Sequence, residues 1–170
     1  MDRRDTLSDS AEYGLIDTAL HIAKEMIAFE SAPFAKATVM AGTLSGDLQV
    51  IINKKDFDLV IQLYEQMADG KYLQLNDDLL RASYAKDRSK RKLLHPGKAE
   101  HISLAEKTFF IGREIAKGSK LILVLGVNHN AGYEVNYGSG KQVSSETASD
   151  GLKDLIIQFM PQSFINIPVK

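Results

Sequence analysis

Leu121 to Val127 is a run without a single polar side chain, closed by Lys120 on one side and Asn128 on the other. It is far shorter than the roughly 20 residues that span a bilayer. A short run apolar on both faces is the pattern of a strand buried in the middle of a sheet and covered on both sides. Such a strand commits the chain to a layered structure with a continuous core. The 170 residues suffice for one, since a chain of this size buries roughly 70% of its unfolded surface and needs no metal or disulfide to fold.

Around this strand the sequence predicts an α/β (α+β) domain: a mixed, mainly antiparallel sheet with about four helices packed on it. Residues 1–10, polar and carrying Asp2, Arg3, Arg4, Asp5 and Asp9, read as a flexible or docking arm, and residues 11–170 as a single domain. Leu15, Ile16, Ala19, Ile22, Ala23, Met26 and Ile27 recur at helical spacing over 14–29. Phe57, Val60, Ile61, Tyr64 and Met67 do so over 55–68, with Gly70 as the stop. Ser103 and Glu106 have the spacing of a capping box that opens a third helix to about residue 117. Ala148, Leu152, Leu155, Ile156 and Phe159 mark a fourth over 147–160, ended by Pro161.

Leu48, Val50 and Ile52 alternate as one face of a strand. Lys71 to Leu75 reads as a short strand, and Phe164 to Val169 as an edge strand blunted by Pro168. Tyr133, Val135 and Tyr137 alternate with Glu134 and Asn136, so 121–127 and 132–137 are expected to form a hairpin with a long turn.

The charge pattern narrows the function classes. The formal net charge is −1, with 44% hydrophobic and 25% charged residues, which is globular and carries no overall bias toward nucleic acid or membrane. With no cysteine, disulfides, thiolate catalysis and Cys-ligated zinc are excluded. The first residues lack the apolar core of a signal peptide, so the expectation is the cytoplasm or an assembly built there.

One segment breaks the charge balance. Arg81, Lys86, Arg88, Lys90, Arg91, Lys92 and Lys98 face one acid, Asp87, over 81–98, and His95-Pro96-Gly97 breaks the chain there. The expectation is an exposed basic loop that contacts phosphates or the acidic face of a partner. Tyr84 is its one aromatic residue, too little for a base-stacking platform.

His95 and His101 flank the basic run and offer an acid–base pair for RNA cleavage. The ordinary alternative is two histidines on a solvated loop. His101-Ile102-Ser103 matches half of a two-histidine phosphoesterase pattern, but His129-Asn130-Ala131 fails the other half. His21 with Glu25 has metal-ligand spacing without a third ligand, so no metal and no cofactor is expected. Gly138-Ser139-Gly140-Lys141 lacks the frame of a phosphate loop.

Two segments resemble the tail-completion (neck) family of tailed bacteriophages. Gly42-Thr43-Leu44-Ser45-Gly46-Asp47-Leu48-Gln49-Val50 follows the first expected helix and is similar to that family's glycine-led strand. Leu125-Gly126-Val127-Asn128, then Ala131, Tyr133 and Val135-Asn136-Tyr137-Gly138-Ser139, resembles its later hairpin.

The resemblance implies a virion structural protein of the head–tail junction, assembled in the host cytoplasm. It would form a homo-oligomeric ring through Tyr133, Val135 and Tyr137 and meet neighbouring connector or tail proteins. Contact with DNA phosphates through the basic loop would fit, and no membrane would be involved. The alternatives are a small ribonuclease or nuclease toxin using His95 and His101, or an inhibitor or adaptor that binds one partner.

Overall fold

The computed structural model describes residues 16–17, 19–20, 22, 26–104, 110–128 and 132–170. Eleven strands fill it: β1 (Ile16–Asp17), β2 (Ile27–Glu30), β3 (Thr38–Thr43), β4 (Ser45–Ile52), β5 (Asp58–Gln66), β6 (Tyr72–Arg81), β7 (Ala99–Ser103), β8 (Phe110–Ile115), β9 (Lys120–Val127), β10 (Ile157–Phe159) and β11 (Phe164–Asn166). Among the described residues the longest helical piece is the four-residue 3-10 turn Ala148–Gly151.

Five strands form one sheet in the order β1-β6-β5-β9-β2. In a second sheet β4 pairs with β7 along one edge and with both β10 and β11 along the other. A two-stranded ladder, β3 with β8, completes the set. Every pairing among the described strands is antiparallel.

The two sheets share one core. Leu59, Ile61 and Leu63 from β5 and Leu121 and Leu125 from β9 meet Leu48, Val50 and Ile52 from β4 and Ile102 from β7. Burying each such side chain is worth about 1.5–3 kcal/mol. Met40, Ile111 and Ile115 carry the β3–β8 ladder into the same cluster. Arg113, paired opposite Met40, donates from Nε to the buried carboxylate of Glu65 on β5, which fastens this ladder to the large sheet.

This architecture corrects the α+β expectation: the protein is a β-sandwich. The segment 55–68 holds β5, Asp58–Gln66, and not a helix. Its inward residues are Leu59, Ile61, Leu63 and Glu65, at period two. Val60 is also buried on the opposite face, so the run is apolar on both sides and its alternation is hidden. The other expected helices are also replaced. The described part of 14–29 holds β1 and β2. Ser103 ends β7, and Phe110–Ile115 is a strand. The stretch 147–160 holds the 3-10 turn, closed by a Thr147–Asp150 capping box, followed by β10.

The strand read over 121–127 is β9, but it forms no hairpin with 132–137. It lies between β5 and β2, and residues 132–137 are irregular. The arm at 1–10 lies outside the described residues, as do His21 and His129.

Candidate functional site

The polar chemistry of the molecule gathers where three loops meet at one end of the sandwich. Asp56, completely buried, precedes β5. Its Oδ1 accepts from the backbone N–H of Phe57 (3.0 Å) and of Ser83 (2.9 Å). Its Oδ2 accepts from Ser83 Oγ (2.6 Å) and from Arg91 Nη2 (3.1 Å). Arg91 also donates from Nη1 to the carbonyl of Gly140.

Two residues on, Asp58 opens β5 and is equally enclosed. Arg81, its partner in the β5–β6 register, grips it with two bonds, Nε to Oδ1 at 2.8 Å and Nη2 to Oδ2 at 2.9 Å. Asn136 Nδ2 adds a third at 2.9 Å. The hydrogen bonds that Arg81 donates to the Asp58 carboxylate raise the pKa of its guanidinium above its ordinary value and hold it charged. Such two-pronged pairs are geometrically specific as well as strong.

The third loop is held from its own side. Lys54 Nζ donates to the carbonyl of Tyr137, and the Lys55 amide to that of Gly138. Glu146 accepts from the amides of Tyr137 and Ser139 and from Ser139 Oγ. Gly138 has φ +74°, and a Cβ there would lie 2.5 Å from the carbonyl oxygen of Asp56. Only glycine fits this approach.

The basic run is therefore split by the fold. Arg81 and Arg91 are structural, each bound to a buried aspartate, and Lys86 Nζ lies 3.5 Å from Glu100. Arg88, Lys90, Lys92 and Lys98 are exposed. The loop is anchored beneath them by Ala82, Ser83, Ala85 and Leu94, all buried, so it is not a free strip. Sequence reading set one acid, Asp87, against these cations and missed Asp56 and Asp58. The readable signal was two acids flanking Phe57 at the mouth of an apolar run, where an acid needs a cation to be buried.

The histidines are tied to separate carboxylates. His95 Nδ1 donates to Glu100 Oε1 and His101 Nδ1 to Asp47 Oδ2, each at 2.6 Å. Burial pushes the Glu100 carboxyl up, but the side-chain and backbone donors of His95, with Lys86, outweigh it and hold the group below the ordinary glutamate value. Tyr133 and Val135 are exposed, while the Tyr137 ring packs on Gly151. No group of three or more metal-ligating side chains occurs among the described residues.

Two adjoining hollows lie elsewhere and are mainly apolar. A groove of about 410 Å³ opens between β2 and β9 of the large sheet and β10, β11 and β4 of the other. A second hollow adjoins it and shares Ile27, Leu125 and Phe159.

A two-sheet β-sandwich, with three of its loops joined at one end by buried ion pairs, defines the class of the fold. The chain belongs to the family of the X-Pro dipeptidyl-peptidase C-terminal non-catalytic domain, whose model matches residues 2–159.

Solved structures carry the same fold. An α-amino acid ester hydrolase labelled with selenomethionine superposes with a TM-score of 0.76 at 17% identity, over 86% of this chain and 26% of its own. An aminopeptidase from a marine sediment archaeon, Thaumarchaeota archaeon, gives 0.74 at 15%, over 87% and 26%. A CocE/NonD family hydrolase from Staphylococcus aureus gives 0.59 at 15%, over 91% and 32%. The chain thus spans about a quarter to a third of these proteins. No curated protein matches it.

These findings overturn the phage reading. The family match runs through both segments that resembled the neck family, and the second of them holds the end of β9 and an irregular stretch rather than a hairpin. The virion location, the ring homo-oligomer and the connector, tail and DNA partners go with it. The nuclease toxin and the one-partner inhibitor or adaptor fall as well, since neither accords with membership in this family.

Proposed function

We propose that the chain serves as the accessory β-sandwich of a peptidase or ester hydrolase, contributing architecture and contact surface while another domain carries out the hydrolysis. The observation that carries this reading is the use made of the polar residues. Asp56, Asp58, Arg81, Ser83, Arg91 and Asn136 bind one another and so join three loops, rather than converging on an open cleft as a catalytic constellation must. The exposed Arg88, Lys90, Lys92 and Lys98 offer this module a cationic surface for an acidic stretch of the domain it accompanies.

The test is an assay of the 170-residue chain against X-Pro dipeptide anilides and α-amino acid esters. The expected result is no turnover above buffer. Turnover that survives purification and vanishes in His95→Ala or His101→Ala would overturn the proposal.

A further inference from the structure

The outer face of the large sheet carries a pocket that the loop network does not use. On β5 the side chains of Val60 and Gln62 turn away from the inward Leu59, Ile61 and Leu63, by the alternation of a strand. The β5–β6 register sets Val60 beside Leu79 and Gln62 beside Asp77, and the β5–β9 register sets Val60 beside Gly126. At Gly126 the face has no side chain of its own and Met26 takes the place, since a Cβ there would lie 2.6 Å from the Met26 Cγ. The result is a hollow of about 110 Å³. Val60 and Leu79 form its floor and Met26 a wall, and Gln62, Asp77, Asn128 and Tyr133 complete the lining.

The charge of this lining is one-sided. Asp77 is its one charged side chain among the described residues. A single hydrogen bond reaches the Asp77 carboxylate there, from Gln62 Nε2 to Oδ1 at 3.4 Å, and no cation pairs with it. The guanidinium nearest along β6, that of Arg81, is already held by two bonds to Asp58. The Asp77 charge acts across the face on Tyr64, whose phenol is pushed above its ordinary value first by burial and then by this carboxylate.

A carboxylate beside Val60, Leu79 and Met26, with an aromatic ring in the same lining, suits a cation that carries an apolar stem. The charge pairs with the carboxylate, the ring face attracts it as well, and the stem leaves water. An anion would be repelled. A metal ion lacks ligands, since no group of three or more metal-ligating side chains occurs among the described residues. The volume exceeds several-fold the roughly 30 Å³ that one water occupies in the liquid, which leaves room for an ammonium head and a few carbons.

We infer that this pocket binds a primary ammonium on a short aliphatic stem, with the ammonium at Asp77 and the stem on Val60 and Leu79. The site stands apart from the accessory-domain reading and holds whether or not a hydrolase accompanies the chain.

Amide NMR of the isotope-labelled chain near neutral pH tests it, with three probes: n-butylammonium chloride, the lysine side chain of N-acetyl-lysine methylamide, and n-butanol as the neutral counterpart. Expected are saturable shifts at Gln62, Asp77, Leu79 and Asn128, and none at His101 on the other sheet. Binding of n-butanol should be weaker than that of n-butylammonium by roughly tenfold or more, and Asp77→Asn should lose ammonium affinity by a similar factor, as a charge-assisted bond is worth. Asp69→Asn, which removes an exposed carboxylate paired with Lys71, should leave the affinity unchanged.

Saturation by n-butylammonium alone would assign the pocket to free amines, and saturation by both ammonium probes would extend it to lysine side chains. No saturable shift with n-butylammonium, equal affinity for n-butanol, or undiminished binding in a natively folded Asp77→Asn would overturn the inference. The n-butanol comparison, made on the wild type, decides even if Asp77→Asn does not fold.

Discussion

Arg91 reaches out of the basic segment to the buried carboxylate of Asp56, its Nη2 lying 3.1 Å from Oδ2, while only 15% of its own side chain meets solvent. A cation read as free for a partner is in fact the inner tie of three loops. Its loss leaves a fully buried aspartate with one donor fewer, and loss of Asp56 leaves a guanidinium and the Ser83 amide without their acceptor. Breaking a buried pair in this way costs about 3–5 kcal/mol. Arg91→Met and Asp56→Ala should each lower the urea midpoint by that equivalent, whereas Lys90→Ala, fully on the surface, should leave it within about 0.5 kcal/mol. Equilibrium urea unfolding checks all three.

The glycine at 138 supplies a second comparison. Gly138→Ala must place a Cβ 2.5 Å from the Asp56 carbonyl oxygen at φ +74°, whereas Gly97→Ala, at φ +76°, meets nothing within 4 Å. The dihedral cost of about 1–2 kcal/mol is common to both. Only Gly138→Ala adds the clash, so its melting temperature should fall distinctly further. Equal shifts would show that the loop yields without effort.

Glu100 gives a pH dependence with a definite sign. Its folded pKa is lowered from 4.5, burial being outweighed by the donors of His95 and by Lys86. A depressed carboxylate stabilises the fold fully above its unfolded value, and this contribution is lost as the pH falls through the folded one. Wild-type stability should therefore decline below about pH 4.5 with a component that Glu100→Gln removes. Urea midpoints measured from pH 6 to pH 3 test it, and parallel curves for the two proteins would contradict it.

Local stability should follow sheet position. β5 is bonded along both edges, to β6 and to β9, and its inward side chains are almost wholly buried. β2 and β11 are edges. Amide exchange is expected to be slowest at Leu59, Ile61 and Leu63 and at least tenfold faster at Ala28 and Glu30, because edge groups open without global unfolding. Native-state hydrogen exchange reads this directly.

How far the sequence could be read depends on which faces of an element are covered. β4 shows its alternation because Gln49 and Ile51 are less buried than Leu48, Val50 and Ile52, and the strand is legible. β9 was legible as a buried strand for the opposite reason, being apolar throughout. β5 misled because Val60 and Tyr64 on its outer face supply apolar letters that combine with Phe57 and Ile61 into a helical stripe. Ser103 and Glu106 have capping-box spacing although Ser103 ends a strand, since four letters cannot sense a ladder partner such as Asp47. The site was half visible. The cations were evident, but their anions lie up to 35 residues away, and sequence distance says nothing of which surface charges are truly buried.

The pairing order has a kinetic consequence. Of the ladders among the described residues, only β5 with β6 joins strands that are neighbours along the chain. β4 waits for β7, β10 and β11, and its Gln49 amide finds the Ser163 hydroxyl 114 residues later. Each remaining ladder must first close a long loop, so this chain belongs among the slow folders, taking milliseconds to seconds rather than microseconds. Among the described strands, the β5–β6 hairpin is the piece able to form early and wait for the rest of the chain to reach it.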